Sequence, residues 1–134
     1  MNYRLALALL ILPLPALAET PQPIRAAYAS EAAATQPGFS AAAQRGERLF
    51  RQQFTVTAKM PSCTSCHTAN PLQAGEHVVT GKAIRPLAVA TNGERFSDPA
   101  KVEKWFGRNC KEVVGRACTP AEKADFVAYM SQVR

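Results

Sequence analysis

One pentapeptide, Cys63-Thr64-Ser65-Cys66-His67, constrains this chain more than any other feature. Two thiols spaced Cys-x-x-Cys with an imidazole directly after them form the attachment signature of c-type haem. The thiols add across the two vinyl groups and the imidazole ligates the iron from one face. Two other uses of paired cysteines compete. A thioredoxin-like redox pair wants a strand before the motif and a helix after it, whereas Thr68-Ala69-Asn70-Pro71 leads into a loop. A zinc site needs a second short-spaced knuckle, and seven residues separate the remaining pair, Cys110 and Cys118. The motif therefore predicts one covalently attached haem c, held by Cys63, Cys66 and His67.

Residues 1–18 read as a secretory signal peptide. Arg4 gives a basic start, Leu5 to Leu14 an apolar run too short to span a bilayer, and Ala16-Leu17-Ala18 a small-residue cleavage site. Cleavage after Ala18 would leave 116 residues, the 134 less the first 18, enough for one modest domain. Such a core is small unless a large apolar cofactor completes it. Export to the periplasm agrees with haem attachment outside the cytoplasm, where Cys110 and Cys118 are also free to oxidise. The segment carries one cation and no acid, so the formal charge falls from +6 to +5 on cleavage. A basic surface suits weak, salt-sensitive docking to an acidic redox partner. The same charges also serve plain solubility, and composition does not separate the two. Nucleic acid is not an expected partner: no dense Arg/Lys run with interleaved aromatics is present.

Hydrophobic spacing in the mature chain predicts an all-α fold, a small cytochrome c-like helical domain wrapped around one haem. Residues 19–39 read as an N-terminal extension with a short Ala-rich helix over Ile24–Ala34, and residues 40–134 as the cytochrome domain. Ser40 is the expected N-cap of a helix reaching about Phe54, with Gly46, Leu49, Phe50 and Phe54 close to one face. Gly46 and Phe50 stand one turn apart and let another helix cross closely. From Asn70 to Val89 no period is sustained, so a loop is expected. Within it Pro86-Leu87 is the candidate source of a backbone carbonyl for the second N–H of the proximal imidazole.

Asp98-Pro99 opens the next helix as N-cap and first-turn proline. Val102, Trp105 and Phe106 mark an expected buried stripe, and the next position on it is Asn109. Burying an unpaired amide costs about 1–3 kcal/mol, so Asn109 needs a partner. The pattern leaves two readings open: the haem iron or something bound to it, or a cap on the helix end. Cys110 and Cys118 are the only cysteines left after haem attachment, and a disulfide closing a loop of about nine residues is predicted, worth about 2.5 kcal/mol on the chain-entropy argument. Thr119-Pro120-Ala121-Glu122 is a capping box that opens a last helix to about Val133. Phe126, Tyr129, Met130 and Val133 give that helix an apolar face, the natural partner of the Gly46/Phe50 helix.

Small electron-carrier cytochromes usually place a methionine opposite the histidine, in a loop before the last helix. Here the three methionines are Met1 in the signal, Met60 before the motif and Met130 on the expected buried face of the last helix. The iron is then five-coordinate, or bound by His77, by Lys82 or by an amide. His77 or Lys82 would make a low-spin electron carrier. A neutral amide oxygen binds weakly and yields to a small ligand.

Three runs carry a resemblance to a known group: Thr80 to Ala88 (TGKAIRPLA), Arg95 to Asp98 (RFSD), and Lys101 to Thr119 (KVEKWFGRNCKEVVGRACT). They resemble the sphaeroides haem protein family, high-spin, oxygen-binding c-type cytochromes, and the likeness runs from about Arg45 to Tyr129. The resemblance implies that the asparagine directly before the first disulfide cysteine, here Asn109, ligates the iron. It further implies that this ligand swings aside when oxygen, carbon monoxide or nitric oxide binds the reduced form. By the same likeness Trp105 lies beside the haem, Cys110 pairs with Cys118, and a multihaem or membrane-bound cytochrome is the electron donor. A monomer is expected. Two rival functions remain at this stage, a plain low-spin electron shuttle and an enzyme that reduces oxygen or nitric oxide.

Overall fold

The computed structural model describes residues 20–134; the expected signal peptide over 1–18 lies outside the described residues. Helix α1 (Pro21–Thr35) begins on prolines, whose fixed φ suits a first turn. It buries Ile24, Tyr28 and Ala32, a one-residue-per-turn stripe. The helix is longer than the Ile24–Ala34 expectation and part of the core: its stripe packs on the last helix rather than trailing as an extension.

Helix α2 (Ala43–Arg51) starts three residues after the predicted cap and ends before Phe54. Ser40 is not its cap. Its first turn is closed from across the molecule, where the Ala42 N–H donates to Asp125 Oδ1 at 2.7 Å and the Arg45 guanidinium grips the same carboxylate at 2.7 and 2.8 Å. Asp125 is buried in the last helix. A tertiary side chain thus meets the helix-end donors that a local serine was expected to meet.

Helix α5 (Pro120–Gln132) opens with the predicted capping box: Thr119 Oγ1 accepts from the Glu122 N–H, and the Glu122 carboxylate accepts from the Thr119 N–H. It is the central element, with α2 on one side and α1 on another. Its burial is therefore broader than one stripe and includes Ala124, Val127, Ala128, Tyr129 and Met130, while Phe126 and Val133 are half-buried. Phe50 of α2 stacks edge-on against Phe126 and lies 5.9 Å from the Tyr129 ring.

Between these helices lie α3 (Thr64–His67), a two-residue antiparallel ladder of β1 (Gly75–Glu76) with β2 (Ala83–Ile84), and α4 (Pro99–Asn109). The ladder lies inside the stretch expected to be loop; two residue pairs are too few to leave an alternating pattern. The rest of that stretch is tied down by its backbone. The Leu87 and Ala88 N–H groups both donate to the Pro71 carbonyl, and the Val89 N–H donates to the Met130 carbonyl in the last turn of α5. Helix α4 is capped by Asp98, which accepts from the Lys101 N–H at 3.0 Å. It continues into a π-helical turn, Cys110–Val114, which ends on Gly115 in the left-handed region.

Candidate haem site

The connector before the attachment motif is closed on itself, with the Phe54 N–H donating to the Pro61 carbonyl at 2.6 Å. Buried Ser62 then organises the single turn of α3. Its hydroxyl lies 2.6 Å from Thr64 Oγ1, and its N–H donates to Ser65 Oγ at 3.2 Å. Thr64 and Ser65, the spacer residues of the motif, therefore build the turn that places both thiols and His67. Thr68 ends it with a left-handed φ of 61°, its hydroxyl donating to the Asn70 carbonyl. Gly75 of β1 lies flat against the turn: a Cβ there would overlap the Cys66 carbonyl.

Burial first, then the charges of Arg95 and His77, push the His67 pKa down to about 4. The imidazole is thus neutral, the form that ligates a metal. Burial pushes the Cys63 thiol up to about 11, opposite to the low-pKa thiolate of a redox pair. Cys63 and Cys66 are free thiols, while Cys110 and Cys118 are joined in a disulfide with Cα atoms 5.6 Å apart, which removes them as zinc ligands. The predicted disulfide is present.

The Pro86 end of the expected Pro86-Leu87 turn has two donors of its own. Its carbonyl accepts from Asn92 Nδ2 at 3.1 Å and from Arg95 Nε at 2.8 Å, which uses both lone pairs, and neither donor is His67. Pro86 therefore anchors the 92–95 segment.

On α4 the expected buried stripe divides. Val102 is buried and Phe106 half-buried, but Trp105 is 42% exposed and Asn109, one turn on, is also exposed. The amide is not a helix cap, since it makes no capping hydrogen bond to the backbone of the π-turn that follows. The other candidates are placed differently. Met130 is fully buried in α5, and Met60 is half-buried beside the motif. His77 Nδ1 accepts from the Val79 and Thr80 N–H groups in the β1–β2 turn, where Lys82 is exposed.

Sequence reading missed Arg95, Asp125 and a cluster that holds α4 in place. The Tyr28 hydroxyl donates to Glu103 Oε2 at 2.8 Å, and Lys123 Nζ donates to both Glu103 oxygens at 2.6 and 2.9 Å. The Tyr28 ring meets Phe106 edge-on. Three helices share this contact, and only the unbroken helical spacing of Ile24, Tyr28 and Ala32 hinted at it.

The residues present fit a porphyrin. The large apolar side chains left exposed are Val56, Val78, Val79 and Trp105 among the described residues. Val56 precedes the attachment motif and packs on the turn at Gly115, and Val78 and Val79 sit in the turn of the ladder that backs it. Two unpaired thiols beside a neutral imidazole supply the means to hold such a cofactor covalently. Motif and helical fold together define a c-type cytochrome carrying covalent haem c. The chain belongs to the family described as "Domain of unknown function (DUF1924)", which matches residues 36–130. It is 48% identical over 118 residues to the cytochrome c-type protein SHP of Cereibacter sphaeroides, covering 87% of this chain and 88% of that one. The solved structure of oxidised SHP, described as an oxygen-binding cytochrome c, aligns with a TM-score of 0.75 at 45% identity, over 84% of this chain and 96% of that one. Cytochrome c'' from Methylophilus methylotrophus, whose solution structure was analysed for haem-ligand detachment, aligns with a TM-score of 0.70 at 36% identity, over 82% and 90% of the two chains.

Proposed function

We propose that this is a periplasmic monohaem cytochrome c whose iron is held by His67 and, reversibly, by Asn109, and which binds oxygen, carbon monoxide or nitric oxide in its ferrous state. When bound, the haem would supply a one-electron centre able to take a small ligand. His67, neutral and fixed by the α3 turn, would hold the iron together with Asn109. Asn109 is the observation that carries the proposal. Its carboxamide is exposed beside exposed Trp105 and bonded to no backbone of its own helix end, on a segment pinned by the Cys110–Cys118 disulfide. A neutral amide oxygen is a weak ligand, so a diatomic has only a poor competitor to displace. Once free, the same carboxamide has two N–H donors to offer the incoming molecule. The oxygen binding described for SHP and the ligand detachment described for cytochrome c'' support this reading.

A multihaem or membrane-bound cytochrome is the proposed electron donor, in keeping with the basic charge and the export segment expected over residues 1–18. The test is the optical spectrum of Asn109→Ala against wild type, with and without carbon monoxide. Wild type should show a carbon monoxide shift on reduction. The variant should show an altered ferric spectrum and carbon monoxide binding at least as tight. An unchanged ferric spectrum, or a wild-type protein indifferent to carbon monoxide, removes Asn109 as the gate and leaves an electron shuttle.

A further inference from the structure

Helix α4 and the π-turn that continues it carry a row of cations on their outward side. Lys101, Lys104 and Arg108 fall within an arc of about 60° by α-helical spacing, and Lys111 extends the row into the π-turn. At about 1.5 Å per residue the row runs roughly 15 Å along the surface. All four residues are exposed. The inward side of the same helix carries Val102 and Phe106, packed in the core, with Glu103 turned to Tyr28 and Lys123.

Most of this charge is uncompensated. Arg108 is drawn to Glu112 at 3.0 Å and lies 5.8 Å from the centre of the Trp105 ring. Lys101, Lys104 and Lys111 form no ion pair among the described residues. The acids of the surrounding chain are engaged elsewhere: Glu94 by Arg85, Glu103 by Lys123, Glu122 by Arg116 and Asp125 by Arg45. The Asp98 carboxylate caps α4 by accepting from the Lys101 N–H. Three ammonium groups aligned in this way raise the local potential, which an anionic surface lowers.

We infer that the outer face of α4 docks on the anionic phospholipid headgroups of a membrane surface, with Lys101, Lys104 and Lys111 as the contact charges. The inference rests on the export proposed for this chain and is independent of the iron's ligands. No helix among the described residues is long and apolar enough to cross a membrane; the attachment inferred is peripheral and electrostatic. A cluster of lysines and arginines on one helix is drawn to acidic lipid, with about a fivefold gain in affinity for each cation near the surface. A protein partner fits this face less well. Protein interfaces are poor in lysine and centre on buried aromatic or arginine anchors. Here lysine dominates, the one arginine is already paired, and Trp105 at the edge of the row is the residue expected beside the haem. Ammonium groups on flexible stems are point charges that suit a diffuse layer of phosphates. Docking would hold the protein on the surface where a membrane-bound electron donor sits.

The test is co-sedimentation of the holoprotein with vesicles of equal parts phosphatidylglycerol and phosphatidylcholine, against vesicles of phosphatidylcholine alone and against soluble poly-glutamate. Wild type should bind the anionic vesicles, ignore the neutral ones, and lose its binding as salt rises. The triple variant Lys101→Gln/Lys104→Gln/Lys111→Gln should bind roughly a hundredfold more weakly. The triple variant Arg48→Gln/Lys59→Gln/Arg134→Gln, which removes the same charge from exposed positions elsewhere, should bind like wild type. No binding by wild type, or an equal loss in both triple variants, overturns the inference. Binding to poly-glutamate at least as tight as to the anionic vesicles also overturns it, and assigns the row to an acidic protein. If the α4 triple variant fails to accumulate with haem, the single Lys104→Gln decides, with an expected loss of about fivefold. Cell fractionation tests export and the carbon monoxide spectrum tests Asn109, so a failure of either is read apart from a failure at this surface.

Discussion

Gly46 faces the backbone of α5 so closely that a Cβ would overlap the Asp125 carbonyl. Alanine normally improves a helix interior by about 1 kcal/mol over glycine. Here Gly46→Ala should instead lose about 1–3 kcal/mol of stability, because α2 and α5 must move apart; urea unfolding of the holoprotein measures it. Asp125→Ala should lose a similar amount, about 1–3 kcal/mol, by leaving the Ala42 N–H and Arg45 unpaired. The figure is held down because Arg45 is 43% exposed and water recovers part of its interaction. Asp125→Asn, which keeps an acceptor for Ala42, should recover part of the loss in the same measurement. Gly46 was legible because a small residue one turn from Phe50 is a local pattern. Asp125 was not, since Arg45 stands 80 positions away and nothing in Ala124-Asp125-Phe126 names it.

At the scale of elements, the feature that matters is the passage from α4 through the π-turn to α5. Cys110–Cys118 closes this passage eight positions apart, directly after Asn109. Replacing both cysteines by serine should lower stability by about 2.5 kcal/mol, the loop-closure entropy returned to the unfolded chain; chemical denaturation of oxidised wild type and the double variant tests this. The N-terminal half of α4 is held separately, by Tyr28 and Lys123 on Glu103. The caps of α4 and α5 were readable because Asp98-Pro99 and Thr119 to Glu122 act within four residues. The widened turn at Cys110–Val114 was not, since no residue type in that segment demands it.

For the whole molecule, α1, α4 and α5 meet at Glu103. Its carboxyl is held below the ordinary carboxylate range by the Lys123 bond first and the Tyr28 bond second, and Glu122 is likewise depressed, chiefly by Arg116. Both groups are ionised in the fold at pH values where the unfolded chain has begun to take up protons. Their contribution is therefore complete above the unfolded carboxylate range and is lost as pH falls through the lower folded values. Thermal unfolding across acid pH should show this decline, and Glu103→Gln should flatten part of it while lowering stability at neutral pH; an identical pH profile in that variant would refute the assignment. What the sequence by itself determined were features whose cause lies within a few residues: the haem motif, the caps of α4 and α5, the leftover cysteine pair, and a carboxamide standing where spacing expected an apolar side chain. The tertiary structure decided the rest. It made α5 the centre of the core, closed the start of α2 with Asp125, turned the Pro86 carbonyl toward Asn92 and Arg95, and left Trp105 and Asn109 exposed. The reason is the range of the causes, because helix periodicity and capping act within a turn or two whereas burial and ion pairing are settled only when distant segments meet.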